Sequence, residues 1–396
     1  MKEVTIASFN VKNLIGPDQE YYRFQRYTPE EYAWKSGWLA EQIQTMDADV
    51  VCFQEIFEES ALREVVARAD AEGIASNEAH LPDVDKPYRR KAIFRKLAYR
   101  PYTDADIAFA PNLNDGRPGE RRPGVAVLSR LGFSDAPEII QDLPEPLEID
   151  FGTLGGGDGG SFRLRRLSRP ILKVRVRMGG HVVTVFNCHL KSKLGEFPRP
   201  EGAAFPPEAD LTRYDPVGRA MGSLRAALRR MGEAFVLRRA IVEELRAGHP
   251  VLCLGDFNDG EHAVSTEIIS GETPFKNYAW MLRHDAERPS DRYSEEEDVQ
   301  IREAIEAVRL HSAERQFVQK STRDMVYTAA FGGTYESIDQ IFMSRHFLKD
   351  APESIGEMEY FSVFNDHLTD GSHPEAPYNK LASDHGQIMA HFRLRG

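Results

Sequence analysis

A chain of 396 residues, 41% hydrophobic and 28% charged, has the composition of an ordinary folded protein and the length of one large or two ordinary domains. Its net charge of −12 disfavours capture of a polyanion by the whole surface, although carboxylates gathered to hold cations would contribute to that total. No apolar run approaches the roughly 18–20 residues that span a bilayer. The first residues lack the apolar core of an export signal, so a cytoplasmic location is expected.

In chain order, the first β-prone run is Thr5-Ile-Ala-Ser-Phe-Asn10. Glu30 to Met46 then reads as a helix, because Trp34, Trp38, Leu39, Ile43 and Met46 recur near a 3.6-residue period. A strand, Val50-Val-Cys-Phe-Gln-Glu55, and a second helix from about Glu58 to Asp70 complete a β-α-β-α opening suited to a layered α/β domain. Pro82 to Gly124 is basic, then rich in proline and glycine, and reads as a surface excursion. Val125 to Ser129 is a strand, and Gly152 to Gly160 a flexible connection whose glycines lack the Gly-Lys-Ser/Thr ending of a phosphate loop.

Arg163 to Met178 and His181 to Cys188 read as a hairpin turned by Gly179-Gly180. Lys193 to Pro216 is expected to be an ordered loop, leading to a long helix from about Val217 to Arg246. A strand ends at Asp256. Ser290 to Arg315 reads as an acidic helix with Ile301, Ile305, Val308 and Leu310 facing inward. Strands Ile338 to Met343 and Gln387 to Leu394 close the chain. The polar residues of interest run from Asn10 to His385, so cutting the chain would part them, and residues 1–396 are read as one domain with insertions. Cys52, Cys188 and Cys253 lie in or at the ends of apolar strands, which favours buried reduced thiols over disulfides or zinc ligands.

The strands share an ending. Apolar runs stop at Asn10, Glu55, His189, Asp256 and Asp339, and Asp384-His385 precedes the last strand. A buried carboxylate or imidazole is costly unless a metal or a partner compensates it. Six such endings point to one assembled site with the donors a divalent-metal phosphoryl centre needs. Glu55 is the first choice as a Mg²⁺ or Mn²⁺ ligand, since hard cations take oxygen donors. Asn10 can orient that carboxylate or lend its carbonyl oxygen. The competing reading is that Asn10 and Glu55 only cap a turn and a helix.

In Gly255-Asp-Phe-Asn258, extended geometry would turn Asp256 and Asn258 to one side, the acid to take a proton from water and the amide to donate to a phosphate oxygen. An Asx turn is the alternative. His189 and His385 can offset charge on a phosphoryl group. His385 is preferred to His367 because the strand that follows fixes its loop, and Asp339 can pair with it and hold it charged. Basic clusters at Arg89-Arg90-Lys91 with Arg95, Lys96 and Arg100, at Arg163, Arg165, Arg166 and Arg169, and at Arg225, Arg229, Arg230, Arg238 and Arg239 are either solvated faces or a track for nucleic acid.

With these residues in view, the chain resembles the endonuclease/exonuclease/phosphatase superfamily over almost its whole length. Phe53-Gln-Glu55, Asn187-Cys-His-Leu190, Gly255-Asp-Phe-Asn258 and Ser383-Asp-His385 carry the resemblance, in the family's order. It implies an α/β four-layered sandwich of two mixed β-sheets flanked by helices. It implies Mg²⁺ or Mn²⁺ on Glu55, with Asn10 and Asp384 close by. His189 and Asn258 would hold the phosphate, Asp256 would orient or deprotonate the water, and Asp339 would pair with His385. The Asn-x-His-Leu element is similar to the deoxyribonuclease, sphingomyelinase and phosphatase branches, while Phe364 to Leu368 and Ser372 to Pro377 resemble uncharacterised bacterial members. The expected activity is hydrolysis of phosphodiester bonds in nucleic acid. A small-molecule or lipid phosphate ester is the alternative substrate. A non-catalytic binding module is disfavoured because every expected polar position is filled. No protein partner can be inferred.

Overall fold

A computed structural model describes residues 2–22, 25–80, 98–112, 122–150, 160–273, 292–318, 326–370 and 379–395, together with 283 and 290. Arg89, Arg90, Lys91, Arg95 and Lys96, the glycines between 152 and 159, and the stretch from Ser372 to Pro377 lie outside the described residues.

Two six-stranded sheets form the centre. The first has the order β13 (Gly356–Phe364), β14 (Gln387–Leu394), β1 (Lys2–Leu14), β2 (Val50–Ile56), β4 (Arg122–Ser129), β3 (Asp106–Asn112). The second runs β5 (Glu138–Asp150), β6 (Ser161–Met178), β7 (His181–His189), β8 (Val251–Asp256), β12 (Asp339–Ser344), β9 (Leu310–Ser312). Each sheet is mixed: β1 and β2 are parallel in one, β7 and β8 in the other, and the remaining pairs are antiparallel. A small hairpin, β10 (Ala329–Phe331) and β11 (Thr334–Glu336), stands apart from both.

The alternation of side chains along each strand separates three apolar layers. Val4, Ile6, Cys52, Val125 and Val127 meet Val174, Val185, Leu252, Leu254 and Ile341 between the sheets. The other face of the first sheet packs Phe9, Val51 and Phe53 against Leu39 and Ile43 of α1 (Pro29–Met46) and Leu62 and Val65 of α2 (Glu59–His80). The outer face of the second packs Phe186, Cys253 and Phe342 against Leu237 and Ile241 of α3 (Pro216–Arg246). Helix, sheet, sheet, helix is the α/β four-layered sandwich that the sequence implied. All three cysteines are buried and unpaired. Among the described residues no helix is long and apolar enough to cross a membrane.

Thr28 starts α1 with a capping box completed by Glu31, and Pro29 fits the first turn, where its missing N–H costs nothing. On the far side α4 (Val264–Ser270) packs beside α3, and α5 (Glu295–Val308) and α6 (Ala313–Val318) flank β9.

Several expectations need correcting. The stretch from Pro82 to Gly124 is not all surface excursion, because Asp106–Asn112 is strand β3, with Ala108, Ala110 and Asn112 buried. The second helix runs on to His80. The acidic helix stops at Val308; Ile301, Ile305 and Val308 are only half-buried, and Leu310 is buried on β9 instead. Trp34 is exposed and stacks on Trp38.

Candidate active site

The parallel strands β1 and β2 stay in register as far as Asn10 opposite Gln54, and pairing resumes at Leu14 opposite Ile56. The extra residues of β1 bulge outward, with Lys12 and Asn13 at φ 53° and 59°, while Glu55 sits at φ 65°. Non-glycine residues in this left-handed region cost energy and cluster where function needs them. The bulge lets the Asn13 amide donate to Glu55 Oε2 at 3.0 Å, and Asn10 Nδ2 lies 3.4 Å from Glu55 Oε1. The parallel pair β7–β8 has its own close approach. Gly255 lies opposite Cys188 at φ 142°, and a Cβ there would come within 1.9 Å of the Cys188 carbonyl oxygen. Only glycine fits, and it brings Asp256 beside His189.

Beneath the site the sheets are tied by buried amides. Gln54 donates to Asn187 Oδ1 at 2.7 Å and accepts from Ser8, and Asn187 donates to the carbonyls of Phe53 and Ala126. All three side chains are fully buried, and their mutual bonds meet the requirement that buried polar groups find partners.

Asp256 Oδ2 is the hub above them. It accepts from Asn10 Nδ2 at 3.0 Å, while His189 Nε2 lies 3.2 Å and His385 Nε2 3.8 Å away. His385 Nδ1 donates to Asp339 Oδ2 at 2.8 Å, and Asp339 pairs with Asp256 across β12 and β8. Asn10, Asp256, Asp339 and His189 are at most 3% exposed.

This burial sets the charges. It pushes the Asp256 carboxyl up to about 7, with Asp339 and Glu55 adding to the rise and the His385 charge and the Asn258 amide opposing it. Burial also works against a charge on His385. Asp339 and Asp256 outweigh it and hold the imidazolium well above its ordinary range. Burial, reinforced by Arg169, keeps His189 neutral.

Two of the expected residues are placed differently. Asn258 is not extended: at φ 54° its amide donates to Asp256 Oδ1 at 2.8 Å, closing an Asx turn, and its side chain donates to the Leu190 carbonyl at 3.0 Å. Asp384 is 55% exposed, and Lys12 Nζ lies 3.9 Å from it. His367 bonds the His385 carbonyl and lies edge-on to Trp38.

The donor set fits a hard divalent cation. Asp256 and Asp339 bring carboxylate oxygens within 4.8 Å of each other and of the His385 ring, and Asn10 connects them to Glu55. Asp339 Oδ1 is buried without a hydrogen-bond partner, and three carboxylates face one imidazolium, so a cation would relieve real repulsion.

Sequence reading missed Glu233 on α3. It is 1% exposed and accepts from the Ser168 amide at 2.6 Å and the Lys191 amide at 2.8 Å, fixing the middle of β6 beside Arg169 and the chain just past His189 at the end of β7. One turn earlier Arg230 bonds Asp259 and the Lys191 carbonyl. An acid on an amphipathic helix carries no sequence sign that its partners are backbone amides.

Comparison with known proteins adds a family. Residues 7–385 match the Endonuclease/Exonuclease/phosphatase family. No curated protein matches the chain's sequence. Among solved structures it is similar to an endonuclease/exonuclease/phosphatase family protein from Bacteroides thetaiotaomicron, at 13% identity and a TM-score of 0.45, over 99% of this chain and 97% of that one. It is similar also to one from Leptotrichia buccalis, at 13% and 0.45, over 99% and 100%. The human Nocturnin catalytic domain with bound sulfate gives 12% and 0.46, over 99% and 95%.

Proposed function

We propose that this chain, which belongs to the endonuclease/exonuclease/phosphatase family, cleaves phosphodiester bonds of nucleic acid by in-line attack of water on phosphorus. That it is a metal-dependent phosphoric ester hydrolase comes with the family; the substrate and the residue roles are the proposal. The observation that carries the roles is the hub at Asp256, where one carboxylate oxygen lies within 3.0 to 3.8 Å of the Asn10 amide and two imidazoles.

A carboxylate whose affinity for a proton lies near neutrality is suited to orient a water and take its proton as the bond to phosphorus forms. His385, charged and held by Asp339, has its Nε2–H left to donate to a phosphate oxygen as negative charge grows there. His189, kept neutral by burial, would donate from one ring nitrogen to the phosphate, and the second N–H of Asn258 is available to the same group. Glu55, supported by Asn10 and Asp384, would hold a divalent cation, which would supply charge neutralisation and a more acidic water. The leaving oxygen departs opposite the attacking water.

The nucleic-acid part of the reading rests on the rim. Tyr22 is 38% exposed, packs edge-on to Phe57 at 5.8 Å, and lies within electrostatic reach of Glu55, Arg169 and Arg122. An aromatic face beside guanidinium groups suits a base and its phosphates. One observation favours a small or lipid phosphate ester instead. Arg163 pairs with Glu148, Arg166 with Asp142, Arg229 with Glu196 and Arg230 with Asp259, so many basic residues are already engaged.

The test is a substrate panel with Mg²⁺ or Mn²⁺: single- and double-stranded DNA, RNA, phospholipid, inositol phosphates and a generic phosphodiester. Turnover of DNA or RNA well above the others supports the reading, and turnover confined to lipid or inositol esters overturns it.

A further inference from the structure

We propose that Lys35 is a positioning residue that clamps the bulged end of β1 to the loop carrying Asp384 and His385, and so sets the distance between Asn10 and His385. The inference rests on the catalytic reading of that pair. Lys35 lies on the inner face of α1 and is fully buried. A lysine there is expensive, because its amino group leaves water and gains no carboxylate in hydrogen-bond contact among the described residues. A leucine or methionine would fill the space without that cost.

What the amino group does instead is specific. Nζ donates to the Val11 carbonyl at 3.0 Å and to the Leu381 carbonyl at 3.1 Å, joining segments 370 residues apart in the chain (381 less 11). Both acceptors lie where sheet pairing has run out. The β1–β14 ladder spans Ser8 opposite Ile388 to Lys2 opposite Leu394, and the β1–β2 ladder breaks between Asn10 and Leu14. Past those points the seam between β1 and the loop 379–386 is closed by Lys35, by Ser383, whose hydroxyl donates to the Asn10 carbonyl at 2.6 Å, and by the longer, solvent-facing pair of Lys12 and Asp384 at 3.9 Å. Across this seam Asn10 Nδ2 and His385 Nε2 stand 3.4 Å apart. Asn10 also holds Asp256 and Glu55, so slippage of the seam would misplace the hub, the imidazolium and the candidate metal carboxylate together.

Lys35→Met keeps the volume and removes both donors. Its kcat on a generic phosphodiester should fall about 10- to 100-fold, the cost of a displacement on the order of 1 Å at a reacting centre, with KM nearly unchanged. Lys35→Gln, which keeps a donor, should fall between Met and wild type. Ile43→Ala, on the same helix but facing only apolar neighbours, is the control for lost stability. It should lower the melting temperature while keeping kcat. The proton NMR signal of the His385 Nδ1–H in its bond to Asp339 gives a readout that needs no turnover. It should shift or broaden in Lys35→Met and stay put in Ile43→Ala. Wild-type kcat in both Lys35 variants, or an equal kcat loss in Ile43→Ala at matched melting temperature, overturns the proposal. If wild-type protein hydrolyses no phosphodiester, the catalytic reading fails on its own, and an unmoved His385 signal in Lys35→Met still rejects the clamp.

Discussion

Replacing Asp339 by Asn removes a buried charge while keeping a side chain of nearly the same shape, and it should move the pH dependence of the reaction in one direction. Asp339 Oδ2 accepts from His385 Nδ1 at 2.8 Å, and Asp339 is 1% exposed. Opposite charges with centres about 4 Å apart attract by about 4 kcal/mol at an effective dielectric near 20. That attraction favours the protonated imidazole and raises its proton affinity. Burial works against the His385 charge, and Asp339 is the first of the groups that overcome it, ahead of Asp256. Because the histidine's proton affinity is raised in the wild type, its donor function is intact at neutral pH and lost as pH rises through that raised value. Without Asp339 the loss should begin at lower pH. The assay is kcat and kcat/KM on a generic phosphodiester from about pH 5 to 10 at saturating Mg²⁺, with circular dichroism to check the fold. The alkaline limb should move to lower pH and kcat near neutrality should fall about 10²- to 10⁴-fold. An alkaline limb in its wild-type place with an undiminished rate would refute the claim that Asp339 keeps His385 charged.

Other expected outcomes follow from single observations. Glu55→Gln should abolish most metal-stimulated hydrolysis and weaken Mn²⁺ binding by calorimetry, with the fold intact; unchanged binding and rate would remove Glu55 from the metal site. Asp256→Asn should lower kcat by roughly 10²-fold or more, and an effect confined to KM would make Asp256 a binding residue only. Gly255→Ala forces a Cβ to within 1.9 Å of the Cys188 carbonyl and should destabilise by at least about 3 kcal/mol in denaturant melts, whereas a wild-type midpoint would contradict the close approach of β7 and β8. Glu244 is buried, which alone would raise its carboxyl, but bonds from Lys173, His249 and Thr184 hold it down at about 2. Its contribution is therefore present above the ordinary value of 4.5 and lost as pH falls toward 2, so Glu244→Gln should flatten the pH dependence of the melting temperature across that window.

What the sequence disclosed of the fold follows strand position. β1, β2, β4, β6, β7, β8, β12 and β14 have neighbours on both sides and were legible as apolar runs or, in β6, as apolar residues interleaved with basic ones. The four unseen strands of the large sheets, β3, β5, β9 and β13, are the four sheet edges. An edge strand pairs on one side only and tolerates residues that read as loop. β5 runs through Pro144 and Pro146, and β13 carries Glu357 and Glu359 with a bulge between Met358 and Tyr360. The clustered polar residues were legible for the same reason: His189 and Asp256 end central strands, Asn10 and Glu55 lie near the ends of theirs, and Asp339 opens β12, so each stands out against the apolar run beside it. Asn258 was harder, since its left-handed backbone depends on the turn rather than on residue spacing. Lys35 and Glu233 were invisible because their partners are backbone groups brought near by the fold.

The most direct single measurement is hydrolysis of a phosphodiester in water labelled with heavy oxygen, with Mg²⁺ and again in chelator. In-line attack by water on phosphorus predicts that the label enters the phosphate product, that the leaving alcohol stays unlabelled, and that chelation stops turnover. Label in the alcohol, or undiminished turnover in chelator, would contradict the account.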